Sequence, residues 1–345
     1  MEQPYAIVPS RVSLPPEVIL LVIESLAPER TNITLPSSHE TTKTLLALTR
    51  VCQVAAEAAS KLLWQFCTHI NSLKRLTDFR KALYCLPPGD PRRPTSLFLA
   101  LYESDPGPPD TAPPSHSNLP VPYPDFDDIR CATAIQGLLL HTAPTLRRLV
   151  IHMPRLAQDR DRTFELLLVG YKALVNLEEF VSIGSRFSIT GFPRSGAEGD
   201  VWATCWPKLR RLTIDISINK NIFKSLARLS DLEMVTFSFL ESPTPTASRF
   251  RKLLDTEFNA QSMIAGVKER RLRAVGLVGA GCESRSNRSD DTDPGTHVSS
   301  IDVVVYDFER RYQNGDVNIL RWLERKASNG TLWDVSSFGF EDQCG

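Results

Sequence analysis

Leu146-Arg147-Arg148-Leu149-Val150-Ile151 places one apolar residue, two arginines, and then a short apolar run. Strand alternation puts Arg148 and Val150 on one face and Leu149 and Ile151 on the other. The pattern returns at Leu177-Glu178-Glu179-Phe180-Val181-Ser182, Leu209-Arg210-Arg211-Leu212-Thr213-Ile214 and Leu232-Glu233-Met234-Val235-Thr236-Phe237, then at Leu272-Arg273-Ala274-Val275-Gly276-Leu277 and Val298-Ser299-Ser300-Ile301-Asp302-Val303. Helical spacing fills the gaps, at Asp128 to His141, Arg162 to Leu174, Asn221 to Leu229 and Thr246 to about Met263. Gly315 to Lys326 reads as a final helix with Val317, Leu320 and Leu323 inward. A strand, a helix and a strand, none able to bury its own apolar face alone, predict stacked units with a parallel sheet and helices on one side.

The six copies resemble leucine-rich repeats. Their spacing is uneven, 31, 32, 23, 40 and 26 residues, so insertions are expected at Ser185 to Asp200 and Ser242 to Pro245. No copy carries the Asn that ties up the turn backbone in that family. The resemblance therefore implies an irregular solenoid, and a non-repetitive α/β domain is the alternative. Arg148, Glu179 and Arg211 fall at the same position of successive copies and are expected side by side on adjacent strands. One reading is a solvated ladder, in which each opposite-charge contact contributes a few tenths to about 1 kcal/mol. The other makes this row, with Val150, Val181, Thr213 and Thr236, a target-binding face.

A different pattern opens the chain. Leu14-Pro15-Pro16-Glu17 begins a helix with Ser13 available as N-cap, since proline suits the first helical positions. From Val18 to Leu26 the apolar residues cover more than the stripe a helix needs for its own core, and a second wide apolar band runs from Thr42 to about Trp64, read as one helix. Alone, these residues fit an ordinary helical hairpin packed on the rest of the chain. Leu14, Pro15 and Glu17, then Leu48, Val51 and Cys52, then Leu63 and Trp64 are similar in order and type to the F-box family's Leu-Pro-x-Glu, Leu-x-x-Val-Cys and Leu-Trp. The connector from Ala27 to Thr41 is longer than the family's and is read as a surface insertion, and Ala55 stands where the family often has an aromatic. The resemblance implies a small helical domain that docks on the Skp-type adaptor of a cullin ubiquitin ligase. It assigns adaptor binding to Leu14, Pro15, Glu17, Val18, Val22, Ile23, Leu26, Leu46, Val51, Cys52, Leu63 and Trp64. The layout looks like that of the many F-box proteins of filamentous fungi.

The domains expected are an F-box at 11–66, a connecting helix at 67–85, a Pro-rich linker with a first strand at 86–127, and the repeat-like α/β domain at 128–345. Residues 86–124 hold 12 of the 25 prolines, around the apolar island Leu97 to Tyr102. Taken together this is an α+β chain, a helical F-box followed by an irregular α/β solenoid with a parallel sheet.

Lys plus Arg and Asp plus Glu each total 40 of the 345 residues, so no long-range field favours nucleic acid or an anionic membrane. The longest apolar run, Val18 to Ile23, is far short of the ~20 residues that span a bilayer. The N-terminus has no secretory pattern, and the seven cysteines form neither paired CxxC nor a disulfide-like framework. A reduced, cytoplasmic or nuclear setting is expected. GxSxG, HExxH and Walker signatures are absent, and Asp290, Asp291 and Asp293 lack the Gly and Glu of a calcium loop. No catalytic residue, cofactor or metal is expected. The function expected is that of a substrate-recognition subunit of a ubiquitin ligase, holding an unknown protein target for chemistry done elsewhere. A repeat-based interaction scaffold with no ligase is the second reading, and a hydrolase or transferase the third.

Overall fold

The computed structural model describes residues 14–30, 33–87, 90, 92–101, 128–152, 160–183, 205–215, 226–239, 254, 256, 272–278, 301–307 and 319–334. Helices α1 (Pro16–Glu24), α2 (Glu40–Leu48) and α3 (Gln53–Phe66) form an N-terminal module. Strand β1 (His69–Ile70), helix α4 (Leu73–Tyr84) and strand β2 (Ser96–Ala100) follow. Then come α5 (Asp128–Thr142), β3 (Arg148–His152), α6 (Arg160–Lys172) and β4 (Glu179–Ile183). Strands β5 (Arg211–Asp215), β6 (Met234–Phe239), β7 (Leu272–Val278) and β8 (Ile301–Asp307) precede a last helix, α7 (Ile319–Ser328).

All eight strands pair in parallel, and their spatial order is their chain order. Each crossover thus advances the sheet by one strand in the same direction, unlike doubly wound sheets, whose order reverses at a ligand-binding crevice. Each of the six sequence copies supplies one strand, β3 to β8. The sheet begins earlier than residue 128, because β1 and β2 pair into it and Leu97 and Leu99 sit in its core. The connecting helix expected over 67–85 is preceded by β1 and starts at Leu73, where the Ser72 hydroxyl accepts from the Arg75 N–H.

In the copies the first leucine packs inward. Leu146, Leu177, Leu209, Leu232 and Leu272 are all buried. Backbone bonds from Leu177 N–H to Leu174 O and from Leu232 N–H to Leu229 O close the turns that lead into β4 and β6. One face of the sheet packs Leu149, Ile151, Phe180, Leu212, Ile214, Val235 and Phe237 under α4, α5 and α6. There Trp206 stacks near Phe180, with ring centroids 4.9 Å apart, and its indole N–H donates to Tyr171 O at 2.9 Å. The opposite face carries Phe98, Val150, Val181, Ile183, Met234, Val275 and Leu277, packed with Trp322, Leu323 and Ala327 of α7. Leu320 and Val317 fall outside the side chains described.

The N-terminal module has its own small core of Ile23, Leu45, Ala55 and Ala59. The single helix expected from Thr42 to Trp64 is two. The Thr49 hydroxyl donates back to Leu46 O, and Cys52 is extended at φ −160°, so the chain turns between α2 and α3. Helix α1 starts at Pro16 with Pro15 as N-cap, while Ser13 lies outside the described residues. The connector is a surface segment only in part, because two of its residues are tied into the fold. Thr34 and Leu35 are buried, Leu35 N–H donates to Phe66 O at 2.7 Å, and Thr34 N–H donates to Ser328 O at 3.0 Å. Among the described residues no helix is long and apolar enough to cross a membrane. The helix expected over 246–263 and the insertions at 185–200 and 242–245 lie outside the described residues, apart from Leu254 and Thr256.

Candidate functional site

Two surfaces bear on function. The first is the outer side of the helical module. From α1 its core takes Ile23, with Ile19 half-buried against it, which leaves Leu14, Val18, Leu21 and Val22 facing solvent, Leu21 at 65% exposure. Leu46 of α2, Val51 of the turn and Val54 of α3 are exposed as well, and both α1 and α2 pack on α3. Pro15, Glu17 and Cys52 are also exposed.

Not every residue assigned to adaptor binding lies on this surface. Ile23 is buried beneath it, and Leu26 and Leu63 are half-buried against the module core. Trp64 faces the other way, packing on the sheet core with its ring 5.0 Å from that of Phe79. Leu21 and Val54 were not assigned. The signal for Leu21 was present in the spacing, since 14, 18, 21 and 22 share a helical face.

The second surface is the row through Arg148, Glu179 and Arg211. The register pairs them directly across β3, β4 and β5. Arg148 Nε donates to Glu179 Oε1 at 2.6 Å, and Arg211 Nη1 stands 3.8 Å from Glu179 Oε2. However, Arg148 and Glu179 are 5% and 6% exposed, so this is neither a solvated ladder nor an open binding row. Helix α7 lies on it. Arg148 donates to Ala327 O in the last turn of α7 and to Thr34 Oγ1, and the Ser328 hydroxyl donates to Thr34 O. Val150, Val181, Thr213 and Thr236 on the same face are buried too.

The exposed charge ladder sits one residue earlier in each copy. Arg147 pairs with Glu178 at 3.6 Å, and Arg210 with Glu233. Backbone bonds Glu178 N–H to Arg147 O, Arg210 N–H to Glu178 O and Glu233 N–H to Arg210 O continue the sheet through these positions. Being exposed, each such pair is worth about 0–1 kcal/mol.

Two histidines border the α7 face. His69 stacks on Phe98 with centroids 4.4 Å apart, and burial holds its imidazole down to about 4, against an ordinary 6.5. His152 Nδ1 lies 3.6 Å from Glu324 Oε2 on α7. Burial also raises the Cys67 thiol, which accepts from the Thr42 hydroxyl at 3.3 Å. Among the described residues no group of three His, Cys, Asp or Glu side chains is placed to hold a metal ion.

Comparison of the chain with protein-family models, with curated proteins and with solved structures finds no match. The chemistry of these two surfaces is therefore the guide to function.

Proposed function

We propose that this chain is the substrate-recognition subunit of a Skp, cullin and F-box type ubiquitin ligase, in which α1 to α3 dock on the adaptor and the sheet domain holds the target. The observation that carries this reading is the stripe Leu14, Val18, Leu21 and Val22, exposed beside a module core that is already filled by Ile23, Leu45, Ala55 and Ala59. Fully covering each Leu or Val would contribute roughly 1.5–3 kcal/mol, so the stripe favours association. It lies in the segment whose Leu-Pro-x-Glu and Leu-x-x-Val-Cys order resembles the F-box. Behind it, parallel strands in chain order are the arrangement a leucine-rich-repeat-like receptor domain would have. Such a subunit does no chemistry; it raises the local concentration of a target near the conjugating enzyme.

The same stripe would serve a scaffold that binds some other helical partner, and one experiment separates the two. Full-length chain and the variant Leu21→Glu with Val22→Glu are passed over immobilised Skp-type adaptor. Both residues are exposed, so the fold should survive the change. Retention of the wild type with at least tenfold loss in the variant is expected. Wild-type chain that does not bind the adaptor would end the ligase reading.

A further inference from the structure

The connector between α1 and α2 passes beside α4, and one arginine joins the two. Arg75, in the first turn of α4, donates from Nη1 to the Ser37 hydroxyl oxygen at 2.9 Å and to Asn71 Oδ1 at 3.3 Å. Its side chain is half-buried, and burial lowers its pKa from the ordinary value, opposed by the smaller effect of the Cys67 thiol nearby. Elsewhere in the fold a buried arginine has its carboxylate, as Arg148 has Glu179. Among the described residues Arg75 forms no ion pair, and its partners are two neutral oxygens. Lys74 precedes it, and the first turn of α4 contains no acidic residue to offset the two cations. The acid that follows Ser37 on the connector, Glu40, is already engaged by Lys43. An added anion gains most beside a partly desolvated cation without a counterion, since charge-assisted hydrogen bonds are about twice as strong as neutral ones.

Ser37 is placed to supply that anion. It lies in an exposed turn outside any helix or strand, where an enzyme can reach it. Its flank is fixed, because Leu35 N–H is bonded to Phe66 O and Pro36 O accepts from the Thr42 hydroxyl at 2.9 Å. The Ser37 oxygen already stands at hydrogen-bond distance from the guanidinium, so a phosphate carried on it meets Arg75 without rearrangement of the connector. Ser38 is exposed too, yet forms no bond to Arg75.

We propose that Ser37 is a phosphorylation site and that Arg75 receives its phosphate, so that the modification fastens the start of α2 to α4. The Ser37 oxygen attacks the γ-phosphorus of a nucleoside triphosphate held by a protein kinase. The new O–P bond forms as the bond to the leaving nucleoside diphosphate breaks, and the hydroxyl proton passes to the base of the kinase. The product carries close to two negative charges and three acceptor oxygens, which the planar fork of an arginine can take two at a time. Helix α2 belongs to the helical module, whereas Leu76 and Leu83 of α4 lie in the sheet core. The phosphate thus sets how firmly the module is held on the sheet domain, whether the partner of that module is a ligase adaptor or another protein.

Full-length chain with genetically encoded phosphoserine at position 37 tests the receptor. Phosphorus NMR follows the second ionisation of the phosphate, which lies near pH 6 in a free phosphoserine. In the folded chain it is expected roughly half a pH unit below its value in the same chain unfolded in urea, because a guanidinium favours the dianion. Arg75→Gln should remove that difference. Equal ionisation in the folded and unfolded chain would overturn the proposal, a comparison that needs no variant of Arg75, and so would a difference that Arg75→Gln leaves intact. Mass spectrometry of the chain isolated from its own cells with phosphatases inhibited is expected to find phosphate on Ser37; phosphate on Ser38 alone, or on neither, would overturn the site. Neither measurement uses the adaptor, so failure here and failure of the ligase reading are separate results.

Discussion

Glu179 carries its charge beneath a helix, and that changes the consequence of reversing it. On an exposed ladder Glu179→Lys would cost on the order of 1 kcal/mol through like-charge contact with its neighbours. Glu179 is buried between Arg148 at 2.6 Å and the half-exposed Arg211 at 3.8 Å, so the same change sets a buried cation against buried Arg148 and leaves that arginine without its carboxylate. Removing one partner of a buried pair costs about 3–5 kcal/mol because the other is left uncompensated. Glu179→Lys is therefore expected to lower stability by at least that amount in urea unfolding. Glu179→Leu combined with Arg148→Met should recover most of the loss of Glu179→Leu alone; equal destabilisation by the single and double variants would argue against a coupled pair. His69 gives a pH-dependent counterpart. Its folded ring, held at about 4 by burial, resists a proton that the unfolded chain accepts below 6.5. The contribution of His69 is thus complete above pH 6.5, is lost as pH drops from 6.5 toward 4, and changes no further below. The loss is about 3 kcal/mol, at roughly 1.4 kcal/mol per pK unit. His69→Phe should flatten that window relative to wild type, and identical pH slopes in the two proteins would contradict it.

Elements were legible where their pattern was long enough to repeat. Six copies of one alternation marked β3 to β8, and helical spacing marked α5 and α6 to within about two residues, the ordinary uncertainty of helix ends. β1 is two residues long and offers no alternation to read; it is a strand because Phe98 N–H and Thr68 O bring it to β2. The continuous apolar band from Thr42 to Trp64 concealed the turn between α2 and α3, which depends on a single hydroxyl bond at Thr49 and one extended residue at Cys52. The charge row was legible as a row, since its register follows from the pattern. Its burial was not, because alternation says which side a residue faces and not what covers that side. The cover is supplied by residues 319–328, far along the chain from Glu179. Similarly, Ala55 reads as a loss of bulk in sequence, yet it is fully buried between helices that a larger side chain would hold apart.

At the scale of the whole molecule, the helical module and the sheet domain are joined by more than a tether. Trp64, near the end of α3, packs on the sheet core with its ring against Phe79 of α4, and Leu35 N–H is bonded to the O of buried Phe66. A helical segment of this size buries too little surface to be comfortably stable alone, so these contacts should make α3 and the sheet open together. The next residue along the connector obeys a different partner. Thr34 N–H is bonded to Ser328 O, and its hydroxyl oxygen accepts from Arg148. If α7 leaves the sheet by local opening, that bond must break while the Leu35 bond a residue away remains. Residue-resolved exchange by NMR is therefore expected to divide the connector: the Thr34 amide exchanges at the rate of α7, and the Leu35 amide at the slower rate of α3 and β3. Were Leu35 to follow α7 instead, the helical module would be released whenever α7 opens, and the surface that carries Leu14, Val18, Leu21 and Val22 would loosen with it. Were Thr34 to follow α3, the Thr34 clasp would hold through every opening short of unfolding, and α7 would open only with the sheet.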